Sequence, residues 1–391
     1  MSLLIRNVRL VDGTTSKPIP TVSVEVENGI ISWIGEDASH PISHSHTEEI
    51  DGRGFTLIPG LIDCHEHFTS DGGPDNAQIL VNDPLEVATL KAVGNARRAL
   101  LSGVTSARDV GAKAGINIPF AKSVAAGNIL GPRILAAGEW LAFAGTWGSF
   151  VRTLDNLEEI VLATKEQVQK GAALVKVGAT GMTPEGEQFP TLGLEVLKAV
   201  VHTASMAGLK VAAHCVGYEG THQAVEAGVA SIEHGTFISE ETAQLMATKG
   251  TYLVPTMSTW DARLTQAYIG KEPKDKLATT EERAEESKSS FKRALSAGVK
   301  IVPGSDAGGS AVRHGMLARE IELMVETGMS PSAALRASTS DAADLLGIAN
   351  IVGTIAVGKI ADMVLIDGDP YSNPSALRNV WGVFQAGKRI R

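Results

Sequence analysis

Hydrophobic and polar residues alternate in short runs at both ends of the chain and follow a different rule between them. Near the start, residues 4–11, 22–27 and 30–34 alternate with period two, the signature of half-buried strands. Asn28-Gly29 joins the last two runs, and Asn-Gly between alternating runs marks a hairpin. Near the end, residues 361–367 and 380–386 read the same way. The economical reading is one small β domain, a β-sandwich, built from residues 1–56 and 353–391.

Between these ends, apolar strand-like runs alternate with longer helical segments. A first run enters at residue 57, and others cover 104–109, 132–137, 174–178, 210–214, 230–234, 252–256 and 300–305. Helical patterns fall between them at 84–102, 156–171, 194–207 and 221–227. Strand-helix alternation repeated eight times predicts an α/β fold, a (β/α)8 TIM barrel over residues 57–352. An open doubly wound sheet is the competing arrangement, but no Gly-X-Gly-X-X-Gly follows a first strand to favour nucleotide binding. The charged stretch 261–292 reads as a solvated helix face or, alternatively, as a lid over a site.

Composition narrows the class. The 391 residues are 43% apolar and 20% charged with a net charge of -9, ordinary for a globular protein large enough to bury a substantial core. No basic patch suggests nucleic acid, and no segment reaches the ~20 apolar residues of a membrane span. Two cysteines, Cys64 and Cys215, exclude a disulfide framework and fit a reducing compartment. The first residues lack the basic-then-apolar pattern of a secretory signal. A soluble, cytoplasmic protein is expected.

The candidate chemistry lies where the apolar runs end. His65 and His67 are two residues apart, so in a strand they face the same way. Either residue alone could be a satisfied core histidine. However, Lys176, His214, His234 and Asp306 also close apolar runs, and the ends of barrel strands on one face carry the chemistry. Five such strand ends point jointly to a metal site.

At this point the chain resembles the amidohydrolase superfamily. The resemblance covers the whole chain and rests on Pro59-Gly60-Leu61-Ile62-Asp63-Cys64-His65-Glu66-His67, Gly103-Val104-Thr105-Ser106-Ala107-Arg108-Asp109, Ser231-Ile232-Glu233-His234-Gly235, Gly304-Ser305-Asp306-Ala307-Gly308 and the run from Gly353 to Asp362. The best match is the branch of Xaa-Pro dipeptidases and related amidases. The resemblance implies two divalent metal ions, for which zinc suits histidine and oxygen ligands. His65, His67, Lys176 and Asp306 would hold the inner ion, His214 and His234 the outer. Lys176 would bridge them as a carbamate, since an ammonium has no lone pair for a metal. A bridging hydroxide would attack, with Asp306 shuttling the proton to the leaving nitrogen. The mononuclear deaminase branch tends to carry a glutamate three residues after the strand-five histidine, and Gly217 stands there. A one-metal cyclic-amide hydrolase or deaminase is the alternative, and a catalytically silent binding relative a third reading.

The substrate is less legible. His314 follows strand eight and is a candidate substrate contact. The loop after strand three lacks the histidine common in dipeptidases, and Val216 stands where relatives often carry Tyr or His. Trp140, Phe143, Trp147, Phe150, Tyr218 and Trp260 are candidate walls, with Trp147 and Tyr218 the foremost contacts. Together they favour an apolar or aryl amide, carbamate, urea or N-acyl amino acid over a small polar dipeptide, and a small amide-type substrate from that range, dipeptides included, is expected. Arg152 and Arg313 could bind a carboxylate or be solvated. His40, His44 and His46 read as surface residues, His202 and His222 as peripheral helix positions. A homo-oligomer is expected.

Overall fold

The β-rich ends and the alternating middle meet along shared strands. The computed structural model describes residues 2–14, 17–40, 47–73, 82–143, 151–182, 188–269 and 277–391. The N-terminal end supplies β1 (Ser2–Leu10), β2 (Ile19–Glu27), β3 (Ile30–Gly35), β4 (Thr47–Asp51) and β5 (Phe55–Pro59). Asn28 and Gly29 both take left-handed φ values (51° and 83°), as a tight hairpin between β2 and β3 requires.

The middle contributes β6 (Leu61–Glu66), β7 (Val104–Asp109), β8 (Arg133–Ala136), β9 (Trp140–Phe143), β10 (Arg152–Leu154), β11 (Leu174–Gly178), β12 (Thr180–Met182) and β13 (Gln188–Pro190). It continues with β14 (Lys210–Val216), β15 (Ser231–Thr236) and β16 (Tyr252–Val254), and the C-terminal end adds β17 (Met363–Asp367), β18 (Val380–Gln385) and β19 (Lys388–Arg389). The two ends form one hydrogen-bonded sheet in the order β19-β18-β17-β5-β1-β2-β3, with β4 also paired to β1. A boundary at residues 56 and 57 therefore cuts through β5, which pairs with β1 and β17.

Side chains of a strand alternate between faces, and β5 and β17 use both. Leu57, Met363 and Leu365 join a core with Leu3, Val24, Ile31 and Phe384. Their neighbours Ile58, Val364 and Ile366 join the main core under the helices. These strands thus hold the sheet against the rest of the chain.

In the middle, β6-β7-β8 pair in parallel, as do β9-β11-β14-β15-β16. Parallel bridges Leu253↔Ile301 and Glu66↔Ala307 carry the pairing onward and return it to β6. Two stretches depart from the simple pattern. Strand three is split, because Gly138 turns the chain at φ 81° between β8 and β9. A Cβ there would lie 2.0 Å from Gln167 Oε1. Strand eight is irregular: it pairs through single bridges and through Cys64 N to Pro303 O (3.0 Å) and Asp306 N to His65 O (2.8 Å).

The helices follow their caps. Leu157–Lys170 starts where the Asn156 side chain accepts from Glu159 N (3.0 Å) and stops at Gly171 in left-handed conformation. The charged stretch forms two helices, Met257–Tyr268 and Leu277–Ser296. The second buries Arg283, Ala284, Ser287 and Phe291 on one face, and residues 270–276 lie outside those described. Among the described residues, no helix is long and apolar enough to cross a membrane.

Candidate metal centre

The predicted ligands converge at one end of the parallel strands. His65 ends β6 and His67 follows it, Lys176 sits within β11, His214 within β14 and His234 within β15, and Asp306 follows the irregular eighth stretch. Ligand-capable atoms of His65, His67 and Asp306 lie within 4.8 Å of one another. His65 Nε2 and His67 Nε2 are 3.4 and 3.7 Å from Asp306 Oδ1. The His65 and His234 rings are 5.0 Å apart, and those of His214 and His234 4.5 Å apart. His65 and His67 are buried, whereas His214 and His234 are half-buried and open outward.

Three of the four histidines are held by their other nitrogen. His65 Nδ1 lies 2.7 Å from Glu233 Oε2, His67 Nδ1 lies 2.8 Å from Gly111 O, and His234 Nδ1 lies 2.8 Å from Thr256 Oγ1. These contacts turn the three Nε2 atoms inward, the arrangement metal-binding histidines adopt. Burial pushes the imidazoles well below their ordinary pKa, that of His67 to about 4, so each is neutral and ready to ligate.

The backbone bends to present these groups. His234, Thr256 and Asp306 take φ values of 68°, 47° and 52°, left-handed positions that non-glycine residues rarely occupy and that cluster at functional sites. Close approach also explains Gly309, where a Cβ would stand 2.1 Å from Asp306 Oδ1.

Lys176 is the decisive residue. Its side chain is fully buried, and among the described residues its Nζ has no hydrogen-bond partner. Nζ stands 5.3 Å from the Trp140 ring, which itself packs 5.2 Å from His214. Burial lowers its pKa to about 8, against the pull of Glu233. An orphaned buried amine beside four neutral histidines and a carboxylate is costly as it stands. The set fits a metal centre into which that amine is drawn.

Some groups were not foreseen. Glu233 accepts from Arg108 Nη2 (2.7 Å) and Ser231 Oγ (2.5 Å) while holding His65, and Arg108 also donates to Cys64 O (2.6 Å). Thr259 Oγ1 donates to Asp306 Oδ2 (3.0 Å). A charged residue inside the apolar run before His234 was the available signal for Glu233.

Other expectations change. His314 is buried rather than facing the mouth: Nε2 lies 2.8 Å from Ser70 O, Nδ1 3.2 Å from Glu66 Oε2, and the ring stacks on Phe68. With both nitrogens engaged it has none for a substrate. Tyr218 is 54% exposed on the rim against Phe237, and Trp140 and Trp260 are buried. Trp147, Phe150, His44 and His46 lie outside the described residues. His40 is not a surface residue, since its ring packs on Trp33 and pairs with Glu25. Arg152 is engaged by Glu166 and Glu139, and Arg313 is exposed. Cys64 and Cys215 are buried in apolar clusters.

Residues 56–390 match the model of the amidohydrolase family. The chain belongs to that family. It is 29% identical to an ochratoxinase of Aspergillus niger, over 93% of this chain and 82% of that one. A solved Xaa-Pro dipeptidase with methionine bound in its active site is 30% identical, with a TM-score of 0.89 and full coverage of both chains. The solved A. niger ochratoxinase is 26% identical with a TM-score of 0.86, covering 100% of this chain and 95% of that one. As an amidohydrolase, the protein is a metal-dependent hydrolase of carbon–nitrogen bonds of the amide type.

Proposed function

We propose that this amidohydrolase is a binuclear enzyme that cleaves an amide-type bond in a small molecule: a dipeptide, an N-acyl amino acid, or an apolar or aryl amide, carbamate or urea. The observation that carries the reading is the Lys176 amine, buried among His65, His67, His214, His234 and Asp306 with no hydrogen-bond partner among the described residues. In this reading residues 57–352 are a (β/α)8 barrel with the centre at its C-terminal mouth, and both chain ends make a small β-sandwich. The returning parallel bridges and the separate core of the end-strand sheet support it.

Lys176, carboxylated on Nζ, would be shared between an inner ion held with His65, His67 and Asp306 and an outer ion held by His214 and His234. Zinc suits these donors. When bound, the ions supply Lewis acidity to the scissile carbonyl and acidify water. The protein's own groups do the rest. Glu233 and Gly111 hold His65 and His67 with Nε2 inward. Thr259 holds one oxygen of Asp306, leaving Oδ1 directed at the centre to take a proton from water and deliver it to the leaving nitrogen. Protonation there matters because an amide anion leaves poorly. Trp140 beside His214 and Tyr218 on the rim bound the space for the acyl side, with Trp147 a further proposed contact.

The test combines metal analysis with a substrate panel. Metal-loaded enzyme in bicarbonate should hold about two ions per chain and cleave at least one class among dipeptides, N-acyl amino acids, aryl amides, carbamates and ureas. Lys176→Ala should lose metal and activity together. If that variant kept its full metal content and rate, the bridging role of Lys176 would be wrong.

A further inference from the structure

The mouth of the centre carries two arginines that the metal ligands do not use. Thr259 donates to Asp306, which turns that face of the Met257–Tyr268 helix toward the centre. Arg263 follows four residues later, on the same face and one turn along. Its guanidinium stands 5.5 Å from the Trp260 ring, and that of Arg283, from the Leu277–Ser296 helix, stands 5.9 Å from the same ring. Arg283 is anchored from the other side. With its amide oxygen turned toward Arg283, Gln188 accepts from Nη2 at 3.1 Å and donates to Val216 O at 3.0 Å, at the end of the strand that carries His214. Arg263 thus lies on a helix that reaches Asp306, and Arg283 is tied to the strand that carries His214.

Asp261, the acid on the same helix as Arg263, is held through both oxygens by Arg319 (2.9 and 3.0 Å). Among the described residues Arg263 makes neither an ion pair nor a hydrogen bond, and Arg283 is only 9% exposed. Arg263 disfavours the charge of Arg283 while Glu282 favours it, and an anion received by Arg263 would relieve the first effect. Arg263 is also near enough to act electrostatically on Asp306, so the anion would lie close to the reacting bond. A guanidinium presents a planar fork of donors that matches a carboxylate, and indole supplies an apolar wall for the carbon skeleton behind it.

We propose that Arg263 and Arg283, both beside the Trp260 ring, bind a carboxylate of the substrate, so that the enzyme prefers amides bearing a carboxylate beside the scissile nitrogen over uncharged aryl amides, carbamates and ureas. The inference rests on the hydrolase reading above and narrows it. Arg263 is the selective element, because among the described residues it has no ion pair or hydrogen bond of its own.

A matched pair of compounds tests it: N-acetylphenylalanine and N-acetylphenethylamine, which differ only in the carboxylate. Holoenzyme should favour the acid by about tenfold or more in kcat/KM, the scale of a close charge pair. Arg263→Met, which keeps an apolar stem over Trp260, should erase that preference through KM, leaving the neutral compound within about twofold. Arg263→Lys should retain part of it. Equal turnover of the two compounds by the wild type, or an equal loss on both in Arg263→Met, would overturn the proposal. If neither compound is cleaved, they become inert ligands and calorimetry decides. Tighter binding of the acid that disappears in Arg263→Met upholds the carboxylate site, even though hydrolysis of these amides has failed. Equal binding, or a preference that survives the substitution, rejects it.

Discussion

Glu233 determines which nitrogen of His65 faces the centre. Its Oε2 lies 2.7 Å from Nδ1, and its Oε1 is occupied by Arg108 and Ser231. A neutral His65 must then carry its proton on Nδ1 and turn the Nε2 lone pair inward. Replacing Glu233 by Gln removes the ion pair with Arg108 and weakens that orientation. Partners of this kind are typically worth 10–100-fold in metal affinity. Competition with a chelator should show a loss on that scale in Glu233→Gln, with the folded signal retained, whereas unchanged affinity would remove Glu233 from the role. The proposed ligands were conspicuous in the sequence because each closes an apolar run. Glu233 stood within a recognised motif, but its role depends on Arg108, 125 residues away on β7. Thr259 was equally hidden, since it reaches Asp306 from a helix that the strand pattern does not describe. His314 misled for the opposite reason: its place after strand eight is right for a substrate contact, yet its ring turns into the core between Ser70 and Glu66.

Among the elements, strands that run without a break were legible, including β7, β14 and β15. Strand three was not, because its break depends on Gly138 meeting Gln167 from a separate helix. The join between the end-strand sheet and the rest was also hidden, although Asp362 stood in a noticed motif. Its carbonyl accepts from Gly60 N (2.8 Å), Oδ2 accepts from Arg133 Nη1 (2.8 Å) and Oδ1 from Ala386 N (2.8 Å), so one residue ties β17 and the C-terminal strands to β5, β6 and β8. The Asp362 side chain is buried while Arg133 is partly exposed. Asp362→Ala would leave Arg133 with Ser106 but no carboxylate, and the Ala386 amide without its side-chain acceptor. Breaking a buried pair from one side costs about 3 kcal/mol, reduced here by the exposure of Arg133. Urea denaturation should show a clear fall in midpoint, and an unchanged midpoint would mean that the backbone pairing of β5 with β17 suffices.

For the whole molecule, Lys176 makes the metal-free protein unstable in a way that depends on pH. Burial lowers its pKa from 10.5 to about 8. Below pH 8 the amine is charged in both folded and unfolded chains, and the folded state bears the full desolvation cost. A shift of this size corresponds to about 3 kcal/mol. Between pH 8 and 10.5 the folded chain has lost this proton while the unfolded chain still holds it, so this contribution to stability rises with pH until the cost is gone. Lys176→Met has no charge to bury and fills the same space. In metal-free buffer purged of carbon dioxide, that variant should therefore be the more stable protein at pH 7, with a lead that shrinks as the pH rises through 8 toward 10.5. Added metal and bicarbonate should reverse the order, because ions that bind only the folded, carboxylated centre stabilise the wild type and gain little hold on a chain without the bridging lysine. Unfolding midpoints across pH, with and without metal, measure both halves. Equal stability of the two metal-free proteins at pH 7 would show that water or another group solvates the buried amine. A wild type that metal and bicarbonate failed to stabilise over Lys176→Met would remove the lysine from the centre altogether.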